Sequence, residues 1–111
     1  MATLDTYRHI IANVLGEYTR IPYAYGDLQC EAIFDRENDR YLLVTLGWDN
    51  GIRVYSVLVH IDLIGGKVWI QQDNTEDGVA NELAQAGVPN ERIVLGFQPP
   101  ELRKYTAFAA A

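Results

Sequence analysis

Two glycine-bearing dipeptides, Asn50-Gly51 and Gly65-Gly66, bracket a long apolar run from Ile52 to Ile64. Asn-Gly and Gly-Gly supply the positive φ angles that two-residue hairpin turns require. Three consecutive antiparallel strands follow, with the middle one paired on both sides. Placing each turn sets the register. Leu46, Val44 and Leu42 fall opposite Tyr55, Val57 and Val59, while Leu63 faces Val68 and Ile61 faces Ile70. Strand side chains alternate with period two. One face is therefore expected to carry Leu42, Val44, Leu46, Tyr55, Val57, Val59, Ile61, Leu63, Val68 and Ile70. That face must be covered. The other carries Tyr41, Leu43, Thr45, Ser56, Leu58, His60, Asp62, Trp69 and Gln71, the mixture expected of a surface partly wet or covered by a partner.

A further strand over residues 28–35, the polar turn 36–39 and a strand over 40–48 precede the first hairpin. The sheet is thus predicted as a four-stranded antiparallel meander. Upstream, Thr3 can cap a helix with Leu4, Tyr7, Ile11, Val14, Leu15 and Tyr18 at helical spacing. This apolar stripe is the predicted cover for the aliphatic face, and Pro22 ends the helix. The loop 21–27 carries Tyr23 and Tyr25, suited either to a contact surface or to packing on the body.

After the fourth strand, Thr75 is a plausible N-cap for a helix with Val79, Ala80, Leu83, Ala84 and Ala86 on its apolar side. Gly87 is placed to terminate it, with Pro89 beyond. Ile93 to Phe97 reads as a short strand or buried extended segment, and Pro100 as the first residue of a final short helix. The apolar tail from Tyr105 to Ala111 should dock on the body or on a second copy. The expected class is α+β: N-terminal helix, four-stranded meander, then C-terminal helices with a short extended segment packed on the sheet. All 111 residues suit a single domain.

Composition narrows the function classes. No apolar run reaches the roughly 20 residues needed to span a membrane, and no signal sequence is evident, so a cytoplasmic location is expected. The lone Cys30 permits no internal disulfide and no cysteine-based metal cluster. Fifteen acidic residues against nine unclustered Lys and Arg give a net charge of −6. Nucleic-acid backbones are bound by cations that displace counterions, so direct DNA binding is not expected. A basic protein partner is electrostatically easier.

One constellation could carry chemistry: His60, Asp62, Gln71 and Asp73, beside Trp69. His60 and Asp62 share a strand face, a feasible spacing for an oriented imidazole or a metal pair. In the derived register His60 lies opposite Gln71. A metal site needs three or four ligands, however, and Ser56 lies about 13 Å from His60 by strand rise, too far for direct activation. His60 and Asp62 are thus read first as polar members of a sheet surface. A metal-dependent hydrolase centred on His60, Asp62 and Asp73 is the alternative. Trp48 falls across from Arg53 at the rim of the aliphatic face. Trp69 falls opposite Asp62, suited equally to a protein contact or to internal packing.

The combined motifs GWDNG, HIDL, KVWIQQD, TEDGVANEL and PELRKYT, with YRHIIANVLGEYTRIPYAYGD and IFDRENDRYLLVTLGWDNG upstream, resemble the XisI family, the fdxN element excision controlling factor proteins. The resemblance spans essentially the whole chain. Asn74 departs from it, standing where many members have Gly. The resemblance implies an accessory factor in programmed excision of a DNA element, with no catalysis, no cofactor and no metal. It acts beside a site-specific recombinase, with a second factor, XisH, as the expected direct partner. A homodimer is also expected. The partner surface is assigned to Tyr23, Tyr25, Tyr41, His60, Asp62, Trp69 and Gln71.

Overall fold

A computed structural model describes residues 3–20 and 27–111. Helix α1 (Thr3–Tyr18) leads into strands β1 (Asp27–Asp35), β2 (Arg40–Asp49), β3 (Ile52–Ile64) and β4 (Lys67–Asp73). Helix α2 (Val79–Ala86), a 3-10 turn (Asn90–Arg92), strand β5 (Ile93–Leu95) and helix α3 (Pro100–Arg103) complete the chain. The fold is α+β. Among the described residues the sheet has five strands, not four, in the order β1-β2-β3-β4-β5. The first four pair antiparallel; β5 lies parallel to β4, reached by a crossover through α2. No helix among the described residues is long and apolar enough to cross a membrane.

Both hairpin turns form where the dipeptides place them. Asn50, Gly51, Gly65 and Gly66 all take positive φ. Tyr7, Ile11 and Leu15 form the buried stripe of α1, meeting Val79, Ala80 and Leu83 of α2 over one side of the sheet. Gly87 ends α2 with φ 123°, and the Val88 N–H returns to the Leu83 carbonyl.

The face assignment needs correction. β3 contains a bulge: Val57 pairs with Val44 and Val59 with Leu43, leaving Leu58 unpaired. An extra residue inverts the alternation beyond it. Tyr41 and Leu43 therefore join Val59, Ile61, Leu63, Val68 and Ile70 beneath the helices, all buried. Leu42, Val44, Leu46, Tyr55 and Val57 instead lie on the opposite face, outside the helix-covered cluster, where Val44 is still buried and Tyr55 is exposed. Side-chain amides hold the bulge in place. Gln72 Nε2 and Asn74 Nδ2 both donate to the Val57 carbonyl, at 2.6 and 3.1 Å, and the Asn74 N–H donates to the Leu58 carbonyl. Asn74 thus has a structural role in this fold.

The chain's end protects one sheet edge. The Ala109 N–H donates to the Ile93 carbonyl, and Phe108 packs on the core. Of the two expectations for the tail, docking on the body is the one observed. β1 forms the other edge.

Candidate functional site: a polar corner on the open face

The open face acquires its polar corner from two strands and a second bulge. On β3, His60 and Asp62 point the same way, away from the core residues Val59 and Ile61. On β4 the register shifts at Gln71, so His60 pairs with Gln72 and not with Gln71. The shift still leaves the Gln71 side chain beside Asp62. His60 Nε2 lies 2.8 Å from Asp62 Oδ1, and Gln71 Nε2 donates to Asp62 Oδ2 at 3.3 Å. Arg40 of β2 adds its Nε at 3.5 Å from Oδ1. Asp62 is only 7% exposed. A buried carboxylate is costly unless paired and hydrogen-bonded, and here three side chains from three strands meet that need.

The expected site residues divide clearly. His60, Asp62 and Gln71 come together as one network, with His60 partly exposed and Asp62 as its anchor. Trp69 sits opposite Asp62 as anticipated, but it is packed internally: the Arg103 guanidinium lies 5.2 Å above its ring. Arg103 is itself fixed by the carbonyls of Leu95, Gly96 and Gln98. Tyr41 is fully buried under the helices and leaves the surface set; the Leu58 bulge is the reason. Tyr23 and Tyr25 lie outside the described residues.

Asp73 does not join this corner. It pairs with Val59 on the helical side. There Oδ1 accepts the N–H and hydroxyl of Thr75, and Oδ2 accepts the Val79 N–H at 2.7 Å. Asp73 therefore satisfies the first turn of α2, the task expected of Thr75, while Gly78 supplies the N-cap backbone. The proposed metal trio is thus split between two faces. Among the described residues no three His, Cys, Asp or Glu side chains stand close enough to share a metal. Burial pushes the Cys30 thiol above its ordinary pKa, which favours the inert protonated form.

Sequence reasoning missed Arg40 and Arg103. Arg40 is two strands from β4, and only the inverted register turns it toward Asp62. Arg103 reaches Trp69 through a fold-back of the C-terminal segment that no local motif announces. A separate cavity of about 580 Å³ lies on the helical side, between α2 and the tail, with Asp77, Asn81, Glu82 and Phe108 in its walls.

Comparison with known proteins places this architecture. The family model "XisI protein" matches residues 1–110. The crystal structure of a XisI-like protein from Anabaena variabilis ATCC 29413 superposes with a TM-score of 0.88 at 35% identity, covering 97% of this chain and 99% of that one. A second structure from the same organism, the fdxN element excision controlling factor XisI, gives a TM-score of 0.79 at 34% identity, covering 98% and 99%. No curated protein matched. With sequence and fold in agreement over nearly its full length, the chain belongs to the XisI family.

Proposed function

We propose that this protein is an accessory controlling factor for programmed excision of a DNA element, working through protein contacts with an XisH-like factor. One observation carries the reading: near full-length similarity to a structure named as the fdxN element excision controlling factor. The net charge of −6 supports a protein partner over direct contact with DNA. The recombinase is then reached indirectly, and the chain contributes no catalytic step. The contact surface is the corner around His60, Asp62 and Gln71, with Trp69 held flat beneath Arg103. The partly exposed members of this corner, His60 and Arg40, are held in place by Asp62 and present fixed polar groups that a partner must match.

The test is genetic. Deleting the chain's coding sequence in its own host should reduce the excised-junction product, measured by amplification across the junction, and restoring it should recover that product. Unchanged excision in the deletion strain would refute the reading.

A further inference from the structure

Strand β1 is paired along one side only. There β2 follows it over all nine residues with no shift of register. In an antiparallel strand every second residue turns both its N–H and its C=O away from its neighbour. Among the described residues no hydrogen bond reaches those outward groups of β1. Asp27, Gln29, Glu31, Ala32, Ile33 and Asp35 are exposed.

Folds blunt such edges with short strands, bulges, Pro, Lys or a covering segment. The other edge of this sheet obeys that rule: β5 is three residues long and the tail bonds along it. β1 does not. It is longer than the usual length of roughly five or six residues, and it lacks Pro, Lys, Gly and a bulge. What it carries is acid. Asp27, Glu31 and Asp35 share the side away from the helices, successive Cα atoms lying roughly 13 Å apart by strand rise. Among the described residues Asp27 and Glu31 have no ion-pair partner. The Asp35 carboxylate accepts the Glu37 and Asn38 N–H groups and the Asn38 amide of its own turn.

These acids select what can pair with the edge. Like charges directly opposite one another across two strands are destabilising. A second β1 laid antiparallel over the full length sets Asp27 against Asp35 and Glu31 against Glu31, so a copy of this chain is a poor occupant. A strand with bases at its first, fifth and ninth positions meets all three acids. Because the acids are evenly spaced, it does so in either direction. Its intervening even positions fall beside Leu28, Cys30, Ala32 and Phe34, and Cys30 and Phe34 pack on the core beneath the helices. Apolar side chains there extend that core.

We infer that β1 is a docking edge for an extended segment of a different protein, added as a further strand, with Lys or Arg at every fourth position and apolar residues on the alternate face. This edge is separate from the Asp62 corner, which lies on β3 and β4. The inference does not depend on the role in excision.

Fluorescence anisotropy of a labelled nine-residue peptide, KVIVKVTVK, titrated with the full chain tests it. The wild type should bind this peptide saturably. Replacing the central Lys of the peptide by Glu should weaken binding about tenfold. Glu31→Lys, with an unchanged far-UV circular dichroism spectrum, should reverse that preference. If Glu31→Lys fails to fold, the peptide backbone decides the matter on the wild type. N-methylation of the odd residues blocks one edge of the peptide and N-methylation of the even residues the other, so one version should lose binding and the other keep it. Absence of saturable binding, indifference to the charge exchange, or binding that survives both methylations or neither overturns the inference.

Discussion

Arg8 grips Asp39 with two parallel hydrogen bonds, Nε to Oδ1 at 2.7 Å and Nη2 to Oδ2 at 3.0 Å, across 31 positions of chain. The pair fastens α1 to the turn between β1 and β2. Asp39 takes a left-handed φ of 56°, and its carbonyl accepts the Leu63 N–H, so one residue ties helix, turn and central strand together. Two-pronged charged pairs of this kind are among the stronger hydrogen-bonding arrangements.

This pair sets an acid limit on stability. The Arg8 hydrogen bond, aided by the Tyr41 hydroxyl, holds the Asp39 carboxyl below its usual range despite partial burial. Asp35 is held low in the same turn by Asn38. A depressed carboxyl stabilises the fold above its unfolded pKa, near 4, and that contribution is lost as pH falls through the folded value. Urea midpoints should therefore hold steady between pH 7 and 5 and drop below about pH 4. Asp39→Asn tolerates the left-handed backbone, so it isolates the loss of charge. It should cost about 1–3 kcal/mol at pH 7 and flatten the acid branch.

An alkaline limit follows from two tyrosines. The Tyr18 hydroxyl donates to Glu82 Oε2 at 2.5 Å, linking α1 to α2. Burial, then this carboxylate, raises the Tyr18 pKa; burial, then Asp39, raises that of Tyr41. A raised pKa means the folded state holds its proton more tightly. The stability it brings is intact below the unfolded value, near 10, and fades as pH climbs past it. Tyrosinate absorbance should show these two groups ionising late. Removing them as Tyr18→Phe and Tyr41→Phe should delete the late phase.

Two glycines should respond in opposite directions. A Cβ on Gly47 would lie 1.9 Å from the Asp27 carbonyl oxygen, at a φ of 146°. Gly47→Ala must push β1 away from β2 and should cost about 3 kcal/mol or more. A Cβ on Gly16, within α1, meets nothing within 4 Å. Gly16→Ala should stabilise by about 0.5–1 kcal/mol through helix propensity. Thermal melts of the two variants, run beside the wild type, check both signs.

The elements of this fold were largely readable because their signals are local. Asn50-Gly51 and Gly65-Gly66 demand hairpins, Tyr7, Ile11 and Leu15 repeat at helical spacing, and Gly87 with Pro89 stops α2. The faces were readable only up to Leu58. Nothing about a leucine in an apolar run announces a bulge, and Gln72 and Asn74 acquire meaning only once their amides are seen on the Val57 carbonyl. One uncounted residue was enough to bury Tyr41 and bring Leu42 and Tyr55 to the surface. Of the candidate site, the pairing of His60 with Asp62 followed from strand periodicity. Arg40 and Arg103 did not, because both arrive from segments whose position depends on the completed fold.

Co-expression of the tagged chain with the XisH-like protein of its own genome, followed by sizing of the purified material, tests the central claim most directly. A stoichiometric complex that survives purification and weakens on His60→Ala is the predicted result. If the chain elutes without the XisH-like protein while both are folded and abundant, the account of its function is contradicted.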